Sequence, residues 1–471
     1  MKIALVKVFE RPDTPDIAQP LGIMALDAYL ATQGYRDIDL YDMRLRFDTP
    51  AEAVTRVFRT QPDVVGLSSL TCEKDRAHEL ARRIKQRSPR TKVVLGGPYA
   101  TGSWHTALRD RNIDVCVLGE GELKFHGLLR AWENGTDPAS VPGLALRRGD
   151  EVVKTPEASE VPDLNALPMP SWDKVDLGAY HAWGAIENLT GRRWAILMTS
   201  RGCPYACGYC HRIFGRKFRA LPPERVLAEM AYLVQRKGVQ EFWISDDIFN
   251  FDRERLLDIC RRIRQRRWNI YLQFPNGLRA DLMDGEMLKA LQEAGCYRIS
   301  YAVESGSERI QRQICKHLDL AKTREVIAET REMGFLTHGF FMLGFPTETR
   351  EEMEETIEFA CRSVLHTAAF FFVTPFEGSA IGDTYFADRA DLAGTDYSVY
   401  GHRLGLAAVS QETIRRLQRM AYLRFYADPR RLVSFARLLP EKRKLLQCAE
   451  TFARIVWPGP RVAFPARRFR A

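Results

Sequence analysis

The sequence predicts an α/β protein made of two consecutive parallel sheets: a doubly wound sheet first, then an incomplete barrel of six strand–helix units, with a mostly helical extension behind it. Three observations predict this. Short apolar runs alternate with amphipathic stretches through residues 1–134, the same alternation returns at residue 194 after a proline-marked interruption, and it ceases near residue 388. Such alternation marks βαβ units, because parallel strands need a crossover helix. A chain of 471 residues has room for several domains at roughly 100–200 residues each. Hydrophobic residues make up 45% and charged residues 27%, ordinary values that exclude disordered, fibrous and disulfide-stapled classes.

In the first domain, residues 1–134, strands are expected at 3–9, 38–41, 64–67, 93–95 and 115–118. Lys7, Glu10 and Arg11 interrupt what an export signal would need as an apolar core, so the first run reads as a strand. No stretch is apolar enough to span a membrane, and ten scattered cysteines fit a reducing compartment, so a cytoplasmic protein is expected. Doubly wound sheets bind ligands beyond the carboxyl ends of their strands. Those ends carry Ser68-Ser69-Leu70-Thr71, Gly96-Gly97-Pro98 and Gly119-Glu120-Gly121-Glu122, small or polar residues that let backbone approach a ligand. Turn chemistry explains any one of them; three at successive strand ends point to a site.

Residues 135–193 are read as a connection crossing the surface, with a hairpin pairing 144–147 and 152–154 around Gly149-Asp150 before the stretch PDLNALPMPSW. The second domain, 194–388, has strands expected at 195–199, 241–244, 271–274, 298–303, 337–343 and 368–373, with helices at 223–236 and 350–363 between them. Chemistry in such barrels gathers at the carboxyl ends of the strands. Residues 389–471 are basic and mostly helical, clearest at 411–426 and 440–456, and are expected to cap the barrel mouth. The net charge of +9 owes much to this extension. A solvated helix face accounts for it, and nucleic acid is not the expected partner.

The first strand of the second domain leads into Ser200-Arg201-Gly202-Cys203-Pro204-Tyr205-Ala206-Cys207-Gly208-Tyr209-Cys210. Three thiols on one short loop suit a polynuclear iron site, in which each thiolate holds a different iron. Structural zinc wants four ligands, usually from two knuckles, and no second knuckle is visible. Cys203, Cys207 and Cys210 are therefore the expected ligands of an iron–sulfur cluster. Cys260, Cys296, Cys361 and Cys448 read as small hydrophobes, and Cys72 and Cys315 are discounted as reactive groups.

This loop resembles that of the radical S-adenosylmethionine (SAM) superfamily, whose Cys-x-x-x-Cys-x-x-Cys motif it matches residue for residue. The resemblance covers the whole barrel. It implies a [4Fe-4S] cluster with one open iron that chelates SAM, reductive cleavage of SAM, and a deoxyadenosyl radical. It also implies a low-potential electron donor such as a flavodoxin or ferredoxin. Tyr209 is similar to the family's aromatic against adenine. Ser245, Asp246 and Asp247 match its polar groups toward the amino acid end of SAM, Glu304 and Ser305 its ribose-side element, and Gly344 and Pro346 its adenine-side turn.

The first domain resembles the Rossmann-like cobalamin-binding domain that precedes the barrel in one branch of that superfamily. The matching pieces are Leu21-Gly22 after Pro20, Ser68 to Thr71, Gly96-Gly97-Pro98 and Gly119-Glu120-Gly121 with Glu122. No Asp-x-His-x-x-Gly element is present, and His78, His105 and His126 fall in helical patterns as surface or packing residues. Cobalamin would then lack a histidine from the protein. The resemblance implies methyl transfer to an unactivated carbon of a small-molecule, lipid or peptide substrate lying between the domains. Oxidative cyclisation or rearrangement with the same cofactors is the alternative. A tRNA methylthiotransferase would need further cluster cysteines where this domain offers only Cys72 and Cys116, and a non-enzymatic carrier would leave the barrel without a purpose. No individual catalytic side chain is read from the sequence. Phe370, Phe371, Phe372 and Phe376 serve equally as pocket wall or core.

Overall fold

A computed structural model describes residues 1–9, 18–45, 48–158, 160–183, 185, 187–386, 397 and 406–456. The 388/389 boundary and the last fifteen residues of the extension lie outside the described residues. The first unit comprises β1 (Ile3–Lys7), α1 (Leu21–Thr32), β2 (Ile38–Asp42), α2 (Pro50–Val57), β3 (Val64–Ser68), α3 (Lys74–Arg87), β4 (Lys92–Gly96), α4 (Pro98–Ala107), β5 (Val115–Val117), α5 (Glu122–Glu133), β6 (Leu144–Arg148) and β7 (Glu151–Lys154). These strands form one sheet in the order β2-β1-β3-β4-β5-β6-β7. Helices cover both faces, so β1 is buried at every position and reads as an unbroken apolar run.

The expected hairpin exists, but it belongs to this sheet and not to a free connection. β6 pairs antiparallel with β5, Cys116 opposite Ala145, and β7 closes on β6. Without β6, β5 would leave a row of backbone groups unpaired, and Leu144 and Leu146 complete an apolar face. The stretch after it runs along the surface, with Pro162, Asp163, Asn165 and Ala166 exposed, and is anchored by a few buried side chains. Trp172 is 1% exposed and its indole N–H donates to Glu229, while Tyr180 donates to Asp42. Each aromatic buries its ring and still satisfies its polar end.

The second unit follows α6 (Leu177–Trp183) and runs β8 (Trp194–Leu197), β9 (Ser200–Arg201), β10 (Arg219–Ala220), α7 (Pro223–Lys237), β11 (Glu241–Ile244), α8 (Arg253–Arg266), β12 (Tyr271–Leu278), α9 (Gly285–Glu293), β13 (Cys296–Glu304), α10 (Glu308–Gln313), α11 (Leu320–Glu332), β14 (Leu336–Leu343), α12 (Arg350–Arg362) and β15 (Thr367–Phe372). Six parallel strands, β8, β11, β12, β13, β14 and β15, form an open barrel in that spatial order. β12 outruns its expected end because Pro275-Asn276-Gly277 continue it past a break in register after Phe274.

Both open edges are covered. At β8 the Gln19 side chain acts as a strand substitute: its amide oxygen accepts from the Ile196 N–H at 3.0 Å and its NH2 donates to the Trp194 carbonyl. Trp194 stacks on Trp243 beside it, centroids 3.9 Å apart.

At β15 the cover is α14 (Gln411–Tyr426), the helix that follows α13 (Ala380–Phe386) among the described residues. The Tyr422 and Tyr426 hydroxyls accept from the Phe370 and Ala368 N–H groups, both at 3.1 Å. Of the extension's described residues, Leu406 packs with Tyr209 and Phe345 at the carboxyl ends of the strands, while the helices after α14 lie elsewhere. α15 (Pro429–Leu438) and α16 (Lys444–Val456) contribute Phe435, Leu438, Leu445 and Cys448 to a cluster with Leu189, Leu336 and Tyr297, at the amino ends of the strands. Phe370 points into that cover, packing on Tyr422 and Phe425, whereas Phe371 faces Phe340.

Candidate cofactor site

The three-cysteine loop is the long connection of a small hairpin. β9 and β10 pair antiparallel, with Arg201 opposite Arg219 and Ser200 opposite Ala220, and residues 202–218 run between them. Gly202 enters the loop at φ +85°, where a Cβ would meet the Lys217 carbonyl oxygen at 2.3 Å, so the turn requires glycine. The loop is pinned at its middle: the Gly208 N–H donates to the Ile314 carbonyl at 2.8 Å, and the Ile381 N–H donates to the Gly208 carbonyl at 2.9 Å. Arg279 lies 4.0 Å from the centre of the Tyr205 ring and is held by Asp281.

The thiols sense one another. Burial foremost, then the charges of the other two cysteines and Asp247, pushes the Cys210 thiol up to about 12. Cys203 is raised in the same way, with Lys316 opposing. Among the described residues no group of three His, Cys, Asp or Glu side chains converges on a single metal ion. Three neighbouring thiols are the donor set of a cluster in which each ligates its own iron, and loading it would release their protons.

The polar residues expected around SAM divide into two groups. Asp246 is 2% exposed and committed inward: it accepts from the Thr199 N–H and from the hydroxyls of Thr199 and Ser200, tying β11 to β9. Ser305 is likewise internal, bonded to Thr356 and to the Ser307 N–H. Asp247 stays exposed and accepts from the Gly202 N–H at 3.2 Å, while the Ser245 carbonyl accepts from Asn276. Glu304 has φ +69°, a rare conformation for its residue type. Tyr209 packs against Phe345, and its hydroxyl lies 3.1 Å from Lys316 Nζ. Gly344, at φ +97°, donates to Glu348, and the Pro346 carbonyl accepts from Gln313.

Sequence reasoning missed Lys316, which is 7% exposed and pairs with Glu304 at 3.6 Å. It brings a buried cation to the thiols from a segment whose left-handed Cys315 and His317 leave no pattern in the sequence. Asn276 and Arg279 were missed for a similar reason, since they follow the apolar part of β12.

At the carboxyl ends of the first sheet, Ser68 is in register with Gly96. Gly97 has φ +87°, and a Cβ there would meet the Ser69 carbonyl at 2.9 Å. Gly22, Gly96 and Gly121 have nothing within 4 Å of where a Cβ would stand, and Leu70 is 42% exposed. Open backbone beside an exposed apolar side chain fits a large flat ligand such as a corrin. Other members are engaged: Leu21 packs on the Trp194–Trp243 cluster, Ser69 and Thr71 are buried, Pro98 starts α4, and the Gly119 N–H donates to Thr101. The loop after β5 and helix α4 meet the segment that follows the cysteines. The Cβ position of Gly119 is 3.3 Å from the Ile213 carbonyl, and that of Gly102 is 3.8 Å from the His211 ring. His78 is a packing residue bonded to Asp110 and Tyr99.

Residues 197–360 match the radical SAM superfamily and residues 14–129 match the B12 binding domain. An uncharacterized methyltransferase of Pyrococcus horikoshii is 30% identical over 421 residues, covering 88% of this chain and 89% of the relative. The cytidylyl-2-hydroxyethylphosphonate methyltransferase of Streptomyces wedmorensis is 27% identical over 420 residues, covering 79% and 78%. The structure of the radical SAM methyltransferase TsrM from Kitasatospora setae, with tryptophan and a SAM analogue, superposes with a TM-score of 0.70 at 20% identity, covering 83% of this chain and 77% of that one. That likeness is one of fold.

Proposed function

This chain belongs to the cobalamin-dependent branch of the radical SAM superfamily, and from that premise we propose that it moves a methyl group from SAM to an unactivated carbon of a substrate held between its two sheets. The observation that carries the reading is the meeting of the cysteine loop with the carboxyl-end side of the first sheet, at the β5 loop through Gly119 and at α4 through Gly102. Two sites that face each other can serve one substrate; two sites on opposite faces could not.

Bound there, the reduced cluster would supply an electron to SAM and cobalamin would carry the methyl group. The chain's own part is to hold and shield. Cys203, Cys207 and Cys210 provide three thiolates and leave a fourth iron for SAM. Lys316 offers a cation to the ligand's carboxylate, and Asp247 and Glu304 offer acceptors to its ammonium and ribose. Tyr209 and the turn at Gly344-Phe345-Pro346 wall the adenine side. Gly22, Gly96, Gly97 and Gly121, with Ser68 and Leu70, receive the corrin. Asp246 and Ser305 act from behind by fixing the strand ends. No described helix is long and apolar enough to cross a membrane. A small-molecule, lipid or peptide substrate and a flavodoxin- or ferredoxin-type donor complete the reading.

Anaerobic turnover with SAM, cobalamin and a low-potential reductant tests it. S-adenosylhomocysteine and 5′-deoxyadenosine are both expected. Deoxyadenosine alone would replace methyl transfer by cyclisation or rearrangement, and neither product from reconstituted protein would end the catalytic reading.

A further inference from the structure

The base of the cysteine loop has a charge problem that its own domain does not solve. Arg201 and Arg219 stand directly opposite each other across the β9–β10 pair, with side chains only 13% and 4% exposed. Like charges facing across a two-stranded ribbon repel, and burial strengthens the repulsion.

The two nearly dry compensating carboxylates come from the N-terminal domain, while Glu160 of the connection, more exposed, lies 3.2 Å from Arg219. Glu120 receives both terminal nitrogens of Arg219, at 2.8 and 3.0 Å, and lies 3.4 Å from Arg201. Glu122 receives Arg201 at 2.7 Å. Both side chains are nearly dry, 2% and 6% exposed. Glu120 also accepts from the Val161 N–H at 2.6 Å, and Arg219 donates to the Val161 and Phe214 carbonyls. The network thus spans the strand-end loop of β5, the connection and both ends of the cysteine loop.

We propose that Glu120 and Glu122 are positioning residues that neutralise the paired arginines, so that the cysteine loop takes its shape only against the N-terminal domain and the spacing between the two cofactor sites is set there. The inference rests on the functional reading above for its consequence but not for its geometry. It assigns the two carboxylates of the Gly119–Glu122 segment to the loop and leaves that segment's backbone to the ligand. A displacement of about 1 Å in such a spacing is enough to lower a rate on the order of a hundredfold.

Hydrogen exchange on the full chain without cofactors tests the geometry. In Glu122→Gln, peptides within residues 202–218 should exchange at least tenfold faster, while those in β1 and β11 keep the parent rate. The double variant Arg201→Gln/Glu122→Gln, which leaves no unpaired charge at that position, should recover most of the protection. Loop exchange equal to the parent, or acceleration spread evenly over the molecule, would overturn the proposal. In cofactor-loaded protein supplied with SAM, the ratio of S-adenosylhomocysteine to deoxyadenosine should fall at least tenfold in the single variant and rise again in the double. A lesion that only reduced the amount of folded protein would leave that ratio constant, and this too would overturn it. If the parent itself forms neither product, the functional reading fails while the exchange experiment still judges the clamp.

Discussion

Replacing Glu348 by glutamine should make the protein more stable in neutral and alkaline solution and no more stable in acid. Glu348 lies in the turn between β14 and α12 and is 0% exposed. One carboxylate oxygen accepts the N–H groups of Gly344 and Phe345 at 2.6 and 2.9 Å, and the other is buried without a hydrogen-bond partner. Burial outweighs the two hydrogen bonds and pushes the carboxyl up from 4.5 to about 7. The folded state therefore holds a proton that the unfolded chain has already released. The associated stability is fully present below about pH 4.5 and is lost as pH rises through about 7. At 1.36 kcal/mol per pH unit the loss is about 3 kcal/mol by pH 8. Glutamine still accepts the two N–H groups and, like the protonated acid, leaves a donor unpaired, so parent and variant should match in acid. Scanning calorimetry of the cofactor-free protein reads the difference: roughly 6–12 °C in favour of the variant at pH 8 for a unit of barrel size, shrinking to near zero at pH 4.5. A difference that does not change with pH would refute the argument.

Cys203→Ala, Cys207→Ala and Cys210→Ala should each abolish iron and sulfide retention after reconstitution while leaving the circular dichroism spectrum unchanged. Cys72→Ala and Cys315→Ala should retain both, and loss of the cluster in either would place a ligand outside the loop. Gly102→Ala would set a Cβ 2.4 Å from the Glu377 carbonyl, where the loop after β15 docks on α4. Such overpacking costs about 1–3 kcal/mol and should lower the melting temperature; an unchanged value would mean that the domains do not dock there. Phe370→Ala removes a side chain 1% exposed between Phe341, Tyr422 and Phe425 and should cost about 3–5 kcal/mol in denaturant titration. A loss below about 1 kcal/mol would mean that α14 does not cover β15.

Most of both sheets is legible in the sequence because parallel strands buried on two faces, such as Ile3–Lys7 and Val64–Ser68, advertise themselves as apolar runs between amphipathic helices. The cysteine loop is legible because its spacing has few other uses. The extension's position was not: an amphipathic helix declares that one face is buried, not which surface receives it, and only the open edge of β15 decides that. The same limit hid the roles of Glu120, Asp246 and Ser305. Their residue types suit ligand contact, but each carboxylate or hydroxyl is taken by a partner distant in sequence: Arg219, Thr199 and Thr356. Lys316 went unseen for the converse reason, since a lysine in a polar turn reads as solvated until its burial against Tyr209 and Glu304 is known.

The central claim, that two cofactors face each other and act together, is tested most directly without knowing the substrate. Reduced, cobalamin-loaded protein is given SAM carrying a trideuterated methyl group, and the mass of the recovered cobalamin is measured. Cobalamin bearing the trideuterated methyl group is expected together with S-adenosylhomocysteine. Unlabelled, unmethylated cobalamin recovered from protein whose cluster is intact and cleaving SAM would contradict it.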